Sequence, residues 1–147
     1  MRIDLFIQSS KNPATVKNAI SRWRICAYNP RGVMMNTKDG LVLIPKATNK
    51  RAALMALRDA LRRFNKAAVI NVYVQDDFVR NMLQTNMPKR WSEHDWKKFR
   101  YNRDIQHEDL WREVFKLLSS HAVRYATAEE VAENKNLKEM EERNGRK

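Results

Sequence analysis

The sequence predicts an α/β domain, a mixed sheet with helices on both faces. Two observations lead there. From Thr48 to Arg80 a helix runs into a strand and out into a second helix, the middle of an α/β sheet. Around that unit, strand-patterned segments come first and helices and strands alternate afterwards, the order of early hairpins followed by α/β alternation.

Each element rests on its own pattern. Leu54, Leu57, Leu61 and Phe64 recur at helical spacing beside Ala53, Ala56 and Ala60. Arg58, Asp59, Arg62 and Arg63 fall on the other side, which makes one buried stripe. Ala68 to Val74 is β-branched, aromatic and nearly all apolar, the signature of a central strand covered on both faces. Asp76 or Asp77 then caps a helix carrying Phe78, Val79, Met82 and Leu83. Upstream, Ile3, Leu5 and Ile7 alternate with Asp4, Phe6 and Gln8 in a first strand. A loop is expected from Ser9 to Thr15, and Val16 to Ile20 stays ambiguous. Trp23, Ile25 and Ala27 alternate in a second strand, which ends at an Asn29-Pro30-Arg31-Gly32 turn. Residues 33–46 leave open one bulged strand or two short ones, interrupted at Lys38-Asp39-Gly40. Downstream, Ser92 with Asp95 resembles a cap and predicts a short helix starting there. Glu108 to Ser119 reads as a helix with Leu110, Trp111, Val114, Leu117 and Leu118 inward. A last strand spans Ala122 to Ala126, and a charged helix with Val131, Leu137 and Met140 inward spans Glu129 to Arg143. Residues 1–143 are expected to form one domain and 144–147 a disordered tail.

Composition narrows the function classes. At 147 residues, 43% hydrophobic and 31% charged, the chain has enough apolar content for a single core. No apolar run approaches the ~20 residues that span a bilayer, so no membrane partner is expected. Asp4 and Gln8 interrupt the N-terminal apolar stretch, against a secretory signal. Cys26 is the sole cysteine, so no intrachain disulfide is possible; a cytoplasmic location is expected. One cysteine and three scattered histidines argue against zinc, and no cofactor is expected. Twenty-nine basic residues against seventeen acidic give a net charge of +12, which points to a polyanionic partner, foremost nucleic acid.

The segment order and several strings resemble the ribonuclease H family. Thr48-Asn49-Lys50-Arg51-Ala52-Ala53-Leu54-Met55 is similar to the opening of the family's first long helix. Phe78-Val79-Arg80 follows the central strand as the family's aromatic-Val pair does, Asp109-Leu110-Trp111 looks like the start of its next helix, and Val123-Arg124-Tyr125 fits its last strand. Trp91 and Trp96 resemble the two tryptophans of its basic protrusion, which grips a duplex. The resemblance implies a five-stranded mixed sheet. It also implies two divalent metals held by carboxylates, since such ions prefer oxygen ligands. Here those positions fall at Gln8, Ala53, Gln75 and near Lys138. Glutamine is a poor ligand, alanine offers nothing and lysine repels a cation. The family's glycine-rich loop is reduced to Lys11-Asn12-Pro13-Ala14, and Ala126 to Glu133 lacks its histidine.

The expectation is therefore a catalytically inactive domain that binds RNA–DNA hybrid, duplex or structured RNA, without catalytic residues or metal. Lys89, Arg90, Lys97, Lys98 and Arg100 are expected on phosphates, with Trp91, Trp96 and Tyr101 stacking on bases or sugars. Asn49 and Arg51, at a helix N-terminus, are further candidates. Packing of the tryptophans against the domain is the competing expectation. Two alternatives stand: a protein-interaction module of a nucleoprotein complex, and a nuclease whose metal site has moved to Asp76 or Asp77 together with Asp4. Against the latter, Asp4 lies four residues from Gln8, roughly 13 Å along a strand, too far for metals about 4 Å apart.

Overall fold

The computed structural model describes residues 2–9, 18–96 and 105–145. A five-stranded sheet has the order β3-β2-β1-β4-β5. Its strands are β1 (Arg2–Ser9), β2 (Asn18–Tyr28), β3 (Met34–Pro45), β4 (Val69–Val74) and β5 (Ala122–Tyr125). β1 to β3 form an antiparallel meander, whereas β4 runs parallel to β1 and β5 parallel to β4. The helices are α1 (Asn49–Leu61), α2 (Asp77–Gln84), α3 (Met87–Glu93), α4 (Glu108–Leu118), α5 (Ala128–Glu133) and α6 (Lys135–Gly145). No helix among the described residues is long and apolar enough to cross a membrane.

The alternation along β1 divides the core. Leu5 and Ile7 join the larger cluster with Leu54 and Leu57 of α1, Ile70 and Val72 of β4, and Trp111 and Val114 of α4. Phe6 points the other way, into a smaller cluster with Cys26, Val131, Leu137 and Met140. Helices thus cover both faces, as the sequence predicts. On the smaller face the buried Arg24 of β2 anchors α6. Its Nε and Nη2 donate to Asp39 of β3 at 2.8 and 3.1 Å, its Nη1 donates to Asn136 at 3.0 Å, and Glu139 lies 3.5 Å away. Charge-assisted, bidentate bonds of this kind fix orientation as well as proximity.

The structure corrects several expectations. Residues 34–45 form one strand that runs through Lys38-Asp39-Gly40. Gly40 suits that strand because the Trp23 indole lies where a side chain would project; a Cβ built there would sit 2.0 Å from the ring. The register shift falls opposite Ala27 and Tyr28 instead. β4 is not the middle strand, which is β1, and only its Ile70, Val72 and Val74 face is fully buried. The helix expected at Ser92 begins at Met87, with Pro88 in its first turn; Ser92 lies inside it and its hydroxyl donates to the Lys89 carbonyl. The terminal helix is two helices. They break at Asn134, whose Oδ1 accepts from Leu137 N at 3.0 Å. α6 continues to Gly145, past the expected start of the tail.

Leu57→Ala empties a fully buried position and is expected to cost about 2–5 kcal/mol. Val72→Asp places an uncompensated charge in the core and is expected to abolish folding. Chemical denaturation measures both; an unchanged midpoint for Val72→Asp would contradict the burial of β4 in the larger core cluster.

Candidate nucleic-acid interface

A cleft of about 730 Å³ opens at the carboxyl ends of β1 and β4. Its walls come from the α1 N-terminus (Thr48, Asn49, Lys50), the β4–α2 junction (Gln75, Asp76, Asp77, Arg80), Gln106 and His107 before α4, and Lys138 and Glu141 on α6. Ser9 also lines it. The floor is a continuation of the parallel ladder. Gln75 N donates to Ile7 O at 3.0 Å, and Ser9 N donates to Gln75 Oε1 at 3.0 Å. Arg80, 6% exposed, donates through Nη1 to the Val74 and Gln75 carbonyls and pairs with Asp77.

The four positions implied by the resemblance are placed as follows. Gln8 is 1% exposed and its Nε2 donates to Ser9 O at 2.9 Å. Ala53 lies on the buried face of α1 and is fully buried. The Gln75 amide oxygen accepts from a backbone amide, and Lys138 brings a cation to the wall. Of the acids, Asp76 caps α2 by accepting from Val79 N at 2.9 Å, and Asp77 pairs with Arg80. Asp4 is 8% exposed and accepts from Asn71 at 3.0 Å. Among the described residues no three His, Cys, Asp or Glu side chains converge to hold a metal ion. The donor set does not fit a pair of hard divalent cations.

The α1 N-terminus is tied to α4 beside the cleft. Thr48 accepts from Arg51 N at 3.2 Å, and no acid occupies the first turn. Arg51 Nη2 pairs with Asp109 at 2.7 Å and its Nη1 lies 3.3 Å from His107 Nδ1. The Arg51 hydrogen bond holds the Asp109 carboxyl below its usual range. Burial, then repulsion from Arg51, pushes the His107 imidazole down. Arg51 is therefore committed to a structural pair, while Asn49 lines the cleft as a candidate contact.

On α3 the expected aromatic contacts separate. Trp91 is 5% exposed and packs edge-on to Trp111, with ring centroids 5.7 Å apart. A ring enclosed in this way offers little face to a base, which weighs toward the competing expectation of packing against the domain. Trp96 is half-buried, 6.1 Å from the Phe115 ring, with the Arg112 guanidinium 5.2 Å from its own ring. Asp95 and Trp96 take left-handed backbone angles, φ 53° and 60°, which turn the chain back so that this ring reaches the domain. Lys89 and Arg90 are exposed. Lys97, Lys98, Arg100 and Tyr101 lie outside the described residues.

Comparison with known proteins accounts for this architecture. The RNase H family model matches residues 12–134. The chain belongs to the ribonuclease H family. It is 27% identical over 81 residues to ribonuclease H of Chlorobium luteolum, covering 55% of each chain. To ribonuclease H of a Thermoanaerobacter species it is 24% identical over 87 residues, covering 59% of this chain and 56% of the relative. The match thus spans about half the length of these curated relatives. Among solved structures, LC9-RNase H1, described as a type 1 RNase H with the type 2 active-site motif, aligns at TM-score 0.68 and 19% identity over 84% of this chain and 61% of that one. RNase H1 of the archaeon Halobacterium salinarum aligns at 0.55 and 17%, over 93% and 94%. A foamy viral protease-reverse transcriptase in complex with dsDNA aligns at 0.62 and 10%, over 86% and 80%. These structures share the ribonuclease H fold.

Ser9, Lys50 and Arg80 line the cleft but are absent from the sequence-based candidates. Ser9 follows Gln8 and Arg80 follows Phe78-Val79, so the strings that carry the resemblance point to both. Lys50 adjoins Asn49 in the same way.

Arg51→Ala is expected to raise the pKa of both Asp109 and His107. The carboxyl loses the hydrogen bond that favours its charged form, and the imidazole loses a repelling cation. An NMR pH titration reads both; a His107 pKa that falls would contradict the geometry.

Proposed function

We propose that this ribonuclease H family domain binds nucleic acid, with RNA–DNA hybrid or duplex RNA favoured, and does not hydrolyse it. The observation that carries the reading is the fate of the ligand positions: Gln8 and Ala53 are buried, Gln75 is engaged with Ser9 N, and Lys138 is a cation. Two-metal hydrolysis needs carboxylates bridging both ions, and this cleft commits its aspartates to a helix cap and an ion pair. Binding is supported by the net charge of +12 and by the exposed Lys89 and Arg90 of α3. The stretch from Lys89 to Arg103 holds six cations against Glu93 and Asp95, so its field is positive. Trp96 supports this surface, and Lys97, Lys98, Arg100 and Tyr101 extend it in sequence. A binding panel of hybrid, double-stranded RNA, double-stranded DNA and single strands at two salt concentrations separates the ligand classes.

A second reading, protein docking within a nucleoprotein complex, is favoured by β3. It is an edge strand, and Met34, Met35, Leu41 and Leu43 along it, with Val33 just before it, are more than half exposed. Long apolar edges invite pairing.

Labelled hybrid incubated with magnesium or manganese is expected to remain intact and to bind with a strong salt dependence. If Lys89 and Arg90 each meet a phosphate, Lys89→Ala with Arg90→Ala flattens the slope of log affinity against log salt by roughly two units. Metal-dependent cleavage that tracks with the purified chain would sink the inactive reading, and affinity indifferent to salt would favour docking.

A further inference from the structure

We propose that the cleft receives one backbone phosphate of the bound nucleic acid directly on Ser9 and Lys138, with no metal ion between. This rests on the nucleic-acid reading above and gives that ligand a second point of contact, separate from α3. Ser9 is 4% exposed and lines the cleft, yet its Oγ has no hydrogen-bond partner. A buried hydroxyl without a partner is costly, and buried polar groups are otherwise nearly always satisfied. The hydroxyl can reach the cleft wall by moving between staggered rotamers. Across the cleft, Lys138 has no acid partner among the described residues. The first turn of α1 adds Asn49 and Lys50 to the wall and contains no acid, so the positive end of its dipole faces the cleft uncancelled.

The carboxylates present do not cancel this arrangement in the same way. Asp76 is engaged by Val79 N and Asp77 by Arg80. Glu141 lines the same wall as Lys138 and is itself engaged in a contact. A phosphodiester carries a single charge and several acceptor oxygens, which suits one hydroxyl and one ammonium better than it suits a site built for a dianion. In a two-metal site the phosphate meets cations that carboxylates hold; here the cation is the protein's own lysine, at one of those carboxylate positions.

The test uses a labelled RNA–DNA hybrid, with magnesium and with EDTA at equal ionic strength, against wild type, Lys138→Ala, Ser9→Ala and Lys89→Ala with Arg90→Ala. Wild-type affinity is expected to be the same in both buffers. Lys138→Ala is expected to make the salt slope shallower by about 0.9, the contribution of one phosphate contact, and to do so also in the α3 variant. Ser9→Ala is expected to weaken binding while leaving the melting temperature equal or higher, because the hydroxyl contributes no internal bond. Unchanged affinity and slope for Lys138→Ala, with weakened binding for the α3 variant, would overturn the cleft contact and leave the nucleic-acid reading standing. A lowered melting temperature for Ser9→Ala with unchanged affinity would mean that a buried water satisfies the hydroxyl, and would overturn the role of Ser9. Absence of wild-type binding would overturn both.

Discussion

The parallel pairing of β1 with β4 is the constraint on which the rest depends. It places the carboxyl ends of two neighbouring strands side by side, where β1 is flanked by an antiparallel strand on one side and a parallel one on the other. In open α/β sheets that is where a crevice forms. α1 packs on one face of the sheet against β1, β2 and β3, and α6 lies against β1. The N-terminus of α1, the junction from β4 to α2 and the wall of α6 are thereby brought around one cleft. The ladder does not stop at Val74. The Gln75 backbone and side chain carry it one step further, to Ile7 and Ser9.

That extra step shows how one scaffold changes its chemistry. A carboxylate at the end of β4 would call for cations to balance its charge; the neutral Gln75 amide accepts from Ser9 N without needing a counter-ion. On the opposite wall, Arg24 fixes α6 through Asp39, Asn136 and Glu139, and so fixes where Lys138 stands. The fold of the ribonuclease H family rests here on an apolar core, and Val131 and Leu137 serve both that core and the cleft wall.

Much of this was legible in the sequence because it follows from periodicity. The stripe of Leu54, Leu57 and Leu61, and the alternation of Leu5, Phe6 and Ile7, translate directly into the two faces of the core. What escaped depends on contacts between distant residues. Lys38-Asp39-Gly40 has the composition of a break, but Trp23 lies over Gly40 and Arg24 neutralises Asp39, so the strand continues. Trp91 sits among cations in sequence and against Trp111 in space. Asn134 looks like one more polar residue in a charged helix, and instead caps a new one. Pro88 was the local signal for the true start of α3, outweighed by the cap-like pair of Ser92 and Asp95.

The central claim is that the cleft takes nucleic acid without a metal ion. The most direct measurement follows backbone amide NMR signals of Ser9, Gln75 and Lys138 as hybrid and then manganese are added. The account predicts that hybrid shifts these signals and that manganese causes no selective broadening of them. Saturable broadening confined to the cleft, or hybrid that leaves these three signals unmoved, would contradict it.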